Sequence, residues 1–192
     1  MGFRSVIQLQ AQLIQFDTQL PYDDVIARLQ SQMINKDDST PLITRLREAR
    51  TQEDVEEIVG DTMRGLDFLY VPVDQFGCRF SPMFLSDRYF GELKHHRLLN
   101  IYQGVDDTPK AVVYTIGNPL IAQTILRHDI RAALDIPPRL LILEKPDHKG
   151  TQILYHLPSS VMTLDGNPEL ISAVEALDVK LEKLVSTITA FE

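Results

Sequence analysis

Over residues 3–13 apolar and polar side chains alternate. Phe3, Ile7, Leu9, Ala11 and Leu13 share one parity, and Gln8, Gln10 and Gln12 share the other. A period of two predicts a half-buried strand with one wet face. The phase slips at Ile14 and Phe16, which predicts a bulge or bend near the strand's end. From Pro21 the period changes. Tyr22, Val25, Ile26, Leu29 and Met33 form a stripe, with Asp23 and Asp24 at the positive end, so a helix is expected over about 21–34.

Residues 36–66 predict two short helices. One opens at Thr40-Pro41; the other is capped by Thr51 with Asp54 and stopped near Gly65. Its buried side is Val55, Ile58, Val59 and Met63. These are too few for a separate core, so 36–66 reads as a helical insertion packed on the rest. Strands are expected at about 67–73 and 76–80, with Pro72 demoting the first to an edge. Leu93, Arg97, Leu98 and Leu99 fit a short helix. Ala111 to Ile116 predicts a strand and Pro119 to about Ala133 a helix. A hairpin follows, turning at Asp147, Lys149 and Gly150.

The clearest periodicity comes last. Behind Asn167 and Pro168, the residues Leu170, Val174, Leu177, Leu181, Leu184 and Ile188 recur at spacings of four and three. The seam spans fewer than three heptads, so a single amphipathic helix laid across a sheet is expected rather than a coiled coil. Strands mixed with helices, and a hairpin ahead of a long helix, make residues 1–192 one α+β domain.

Composition narrows the partners. The 192 residues are 44% hydrophobic and 24% charged, ordinary for a globular chain, and the net charge of -8 argues against a nucleic-acid partner. Cys78 is the one cysteine, which excludes an intrachain disulfide and a thiolate zinc cage and points to a reducing, cytoplasmic setting. The leading residues carry glutamines where a signal peptide or membrane span needs an apolar run, so no membrane is expected. Neither a phosphate loop nor a dinucleotide fingerprint occurs, and no cofactor is expected. The five histidines lack the usual ligand spacings, so no metal site is expected either.

Several segments look familiar together: "FGELKHHRLL", "YTIGNPLIAQTILRHDI", Pro137 ahead of the next strand, "GTQILYHLPSS" and "LDVKLEKL". From about Phe90 to Leu184 the chain resembles the domain-of-unknown-function 302 family, in particular its longer fungal-type members. The first strand and helix resemble that family's leading half. The resemblance implies a curved antiparallel sheet packed on a long C-terminal helix, of TATA-binding-protein-like or helix-grip type. It implies no activity. Lys94-His95-His96 stands where the fungal-type pattern suggests an Asn-His-Gly-like step, so His95 matches and its neighbours depart.

The chemistry expected from these residues is modest. His95 with Glu92, three residues earlier, would share a helix face and make a minimal acid–base pair; the alternative is a His95 that only bonds backbone. Asn118 before Pro119 is a helix cap or an anion site. Tyr114 and Tyr155 lie on strands and would lend hydroxyls to a pocket or merely pack, and Arg127 would bind a carboxylate or stay solvated. The leading expectation is a cofactor-independent enzyme of specialised metabolism. It would perform proton-transfer chemistry, as an isomerase, dehydratase or cyclase, on a small organic metabolite held between sheet and helix. The rival is a non-catalytic ligand carrier or a homodimeric interaction module, joined through a sheet edge or through Leu177, Leu181 and Leu184.

Overall fold

The fold was obtained as a computed structural model, which describes residues 2–34, 42, 44–70 and 92–191, with the backbone alone at Glu92–Lys94. The strand expected at 76–80, together with Pro72 and Cys78, lies outside these residues. Among the described residues, seven strands form one open sheet: β1 (Leu13–Thr18), β2 (Met33–Ile34), β3 (Phe68–Tyr70), β4 (Glu92–Lys94), β5 (Ala111–Gly117), β6 (Arg139–Glu144) and β7 (Thr151–His156). Their order is β1-β7-β6-β5-β3-β2, with β4 also on β5. All pairs are antiparallel except β2 with β3.

The helices include α1 (Tyr22–Ser31), α2 (Gln52–Met63), α3 (His95–Gln103), α4 (Pro119–Leu126), α5 (Pro158–Met162) and α6 (Pro168–Thr189). Three of the expected caps are made. Asn118 accepts from Leu120 N, Asn167 from Glu169 N and Leu170 N, and Thr51 and Asp54 complete a capping box. Leu170, Val174, Leu177, Leu181, Leu184 and Ile188 are all buried against one face of the sheet. Each contributes roughly 1.5–3 kcal/mol through burial. The seam proposed for a dimer is therefore the domain's own core. Across the sheet, Val112 faces Ile142 and Ile142 faces Ile153, so the core side carries the even positions of β5 and β6 and the odd positions of β7.

Four expectations are corrected. The first strand occupies 13–18, not 3–13, because β7 ends at His156 and α5 begins at Pro158, leaving residues 2–11 no strand to pair with among the described residues. Ile14 and Phe16 are inward residues of the real strand rather than marks of a bulge near its end. The helix expected to 34 stops at Ser31, and Met33–Ile34 joins the sheet as β2. The helix expected to Ala133 stops at Leu126, because Asp129 accepts from Arg131 N and starts a separate 3-10 turn, Ile130–Leu134.

Within the described part of 36–66, α2 contributes to a cluster of its own rather than to the larger core. Val59 and Met63 join Ile34, Leu42 and Leu69 in a second buried cluster, with Leu120 of α4 packed against it.

Candidate functional site

The residues singled out by sequence fall in different settings. Glu92 lies in β4 with its Cα opposite Tyr114; its side chain is outside the described residues. His95 is the first residue of α3 and is exposed. The expected helical spacing of this pair is corrected, since the chain passes from strand to helix between them and three residues no longer span one turn. His96, not His95, is tied to backbone: Ala111 N donates to its Nδ1 at 3.1 Å.

Asn118 is used at both ends. Its Oδ1 accepts from Leu120 N at 2.9 Å and its Nδ2 donates to Asp67 O at 3.1 Å. The apolar gap beside it, about 20 Å³, is water-sized. Arg127 is the exposed C-cap of α4, and its Nε donates to His128 Nε2 at 3.3 Å.

The tyrosines do come together. Tyr114 faces Leu140, and continuing the β6–β7 register one step past Leu141↔Leu154 sets Tyr155 on the far side of Leu140. Both are buried. Tyr114 meets Tyr70 edge-on at 6.4 Å, and Tyr155 stacks on Phe16 at 6.5 Å. Burial, then Glu182 and Asp178, push the Tyr155 hydroxyl up to about 12.

A different group of residues shares a cleft. At the open ends of β6 and β7 lies a cavity of about 230 Å³, walled by the 3-10 turn and by α5. Asp135, Arg139 and His156 give it polar groups; Leu134, Pro138, Val161 and Met162 make it apolar elsewhere. Two more steps past Leu141↔Leu154 place Arg139 opposite His156 on adjacent strands. Among the described residues, no hydrogen bond or ion pair engages the Arg139 guanidinium or the His156 ring. Arg131 nearby is the contrast, held by Asp129 at 2.7 Å and by Asp165.

The cleft's far wall rests on an unusual cap. The N-cap of α5 is Leu157, which has no side-chain acceptor, so Asp178 of α6 accepts from Ser159 N at 3.1 Å instead. Burial raises the Asp178 carboxyl above its ordinary value, the bonds from Ser159 oppose this, and Glu175 adds to it.

Sequence reasoning missed Asp135, Arg139 and His156. The signal was present in the hairpin, because counting outward from its turn pairs Arg139 with His156. Chemically the cleft offers a guanidinium at Arg139, an imidazole at His156, a carboxylate at Asp135 and apolar surface at Leu134 and Pro138. Among the described residues, no three His, Cys, Asp or Glu side chains gather as metal ligands.

The model of the family described as "Domain of unknown function DUF302" matches residues 88–188, more than half of the chain. The chain belongs to the DUF302 family. A crystal structure titled as an uncharacterized conserved protein DUF302 from Bacillus stearothermophilus is similar in fold, with a TM-score of 0.56. It is 12% identical, and the match covers 91% of this chain and 96% of that one. No curated protein matches the chain. The cleft, from Leu134 to Met162, lies wholly inside the DUF302 match, whereas β1, α1 and α2 lie outside it. Among the described residues, no helix of this DUF302 protein is long and apolar enough to cross a membrane.

Proposed function

We propose that this DUF302 protein binds a small organic acid in the cleft at the ends of β6 and β7 and moves a proton on it without a cofactor. The observation that carries this reading is Arg139 beside His156, both exposed, both free of partners among the described residues, and both lining one cavity. Arg139 receives the carboxylate through paired N–H donors. His156 takes the proton from the carbon next to that carboxylate, Arg139 stabilises the charge that develops on the oxygens, and the proton returns. Asp135 accepts from a hydroxyl or ammonium elsewhere on the ligand. The acid–base work expected of His95 and Glu92 thereby passes to His156 with Asp135. The setting is a reducing cytoplasm, which the single cysteine supports.

The test needs no known product. A panel of small hydroxy, keto and amino acids is incubated with the protein in D2O, and loss of carbon-bound hydrogen is followed by proton NMR. Exchange of one class is expected. His156→Ala should abolish exchange and leave binding, whereas Arg139→Ala should weaken binding about 10- to 100-fold, the worth of a charge-assisted pair. Binding without exchange in the parent protein would make the site that of a non-catalytic ligand carrier. No binding by any member would sink the reading.

A further inference from the structure

Residues 2–12 belong to no helix or strand, alternate apolar with Gln from Ile7 onward, and have no strand beside them among the described residues. Their apolar side is in solvent: Phe3 is 97% exposed, Ile7 54%, Leu9 45% and Leu13 58%. The last of them, Gln12, is anchored, its O accepting from Leu157 N at 2.9 Å and its N donating to Ser160 Oγ at 2.9 Å. In an antiparallel pair successive residues turn their backbone groups to opposite edges. Since Gln12 turns inward to β7, the odd residues of β1 turn theirs to its free edge.

The sequence of this arm is self-complementary. Read antiparallel against itself about Gln10, the run Ser5–Gln15 sets Leu9 against Ala11, Gln8 against Gln12, Ile7 against Leu13, Val6 against Ile14 and Ser5 against Gln15. Apolar meets apolar and polar meets polar at every step. This register also pairs odd residues with odd, which the free edge of β1 requires. A strand meant for an unrelated sheet has no need of such symmetry.

We propose that the arm pairs with the same arm of a second copy across a two-fold axis at Gln10, joining the two sheets through their β1 edges. Each copy's residues 5–7 then cover the other's Leu13 and Ile14, and the open edge is closed. Leu13 faces His156, so the second copy lands beside the cleft. The inference stands apart from the cleft's proposed chemistry, and its test reads assembly and register rather than binding.

Sedimentation of the full chain is expected to show a dimer. Ile7→Pro removes an N–H that faces the second copy and none that bonds within the chain. It should raise the dimer dissociation constant about 10-fold or more through two symmetry-related bonds, with unchanged far-UV circular dichroism. Register is read by cysteines placed in a Cys78→Ser chain. Gln10→Cys faces itself at a close non-hydrogen-bonded pair and should oxidise to a covalent dimer, while Gln8→Cys, which faces Gln12, should not. A monomer at every concentration would overturn the proposal and assign the arm to a different protein's sheet. So would a dimer indifferent to Ile7→Pro, or one that cross-links at residue 8 and not at 10.

Discussion

Asp178 does for α5 what the residue beside that helix cannot. Its carboxylate reaches from α6 to Ser159 N, and half-burial raises its pKa above the ordinary value. A carboxyl whose folded pKa is raised contributes stability that is complete below its unfolded pKa and is lost as pH rises through the folded one. Asp178→Asn keeps the acceptor and removes that loss. The variant should match the parent in acid and exceed it at neutral pH, as read from urea midpoints across the range. Asp178→Ala removes the cap as well and should lie about 1 kcal/mol below Asp178→Asn at every pH. Tyr155 follows the same rule at the alkaline end. With its hydroxyl pushed up to about 12 and no hydrogen bond to it among the described residues, its stabilising share is lost as pH rises through that value. Tyr155→Phe should gain on the parent between pH 10 and 12 and change little at pH 7; an unchanged alkaline melt would contradict this. Neither role was legible from the residue types alone. A cap supplied from 19 positions away is visible only once α5 and α6 are packed.

At the scale of elements, what the sequence states locally is what survives. Asn118-Pro119 and Asn167-Pro168 start helices as their chemistry requires, and Thr51 with Asp54 closes a capping box. Between helix cap and anion site, Asn118 is a cap, since both ends of its side chain are spent on backbone. Elements that depend on a partner were misplaced. The alternation over 3–13 is real, but a strand forms only where β7 lies beside it. The helical spacing expected between Glu92 and His95 is not made, because strand pairing to β5 overrides it at Glu92–Lys94. The hairpin's turn was legible, and its tightest point makes a prediction. Gly150 has φ +107, and a Cβ there would sit 2.4 Å from Thr18 O. Both objections concern backbone, so no rotamer relieves them. Gly150→Ala should cost on the order of 2–3 kcal/mol and lower the denaturation midpoint without changing the native circular dichroism. A midpoint within error of the parent would show that β1 and the hairpin can separate at that point.

Over the whole molecule, burial divides into two clusters of unequal reach. The larger joins α1, α6 and the central strands, and Leu181 within it is fully buried. Leu181→Ala should cost about 2–5 kcal/mol, and Leu181→Glu should prevent folding rather than release a monomer, because the side chain faces the sheet of its own chain. The smaller cluster is held by Ile34, Leu42, Val59, Met63 and Leu69, and α2 meets the main body through it and through α4. A region attached by few buried side chains opens at lower free energy than the core it leans on. In native-state hydrogen exchange, the amides of α2 are expected to exchange at denaturant concentrations where β5, β6 and α6 remain protected. Met63→Ala should widen that gap, because a lost side chain in the small cluster weakens α2 alone while the hairpin keeps its own contacts. Loss of protection by β6 and α6 in step with α2 would mean that the two clusters unfold as one, and that the helices over 36–66 are integral to the fold rather than added to it.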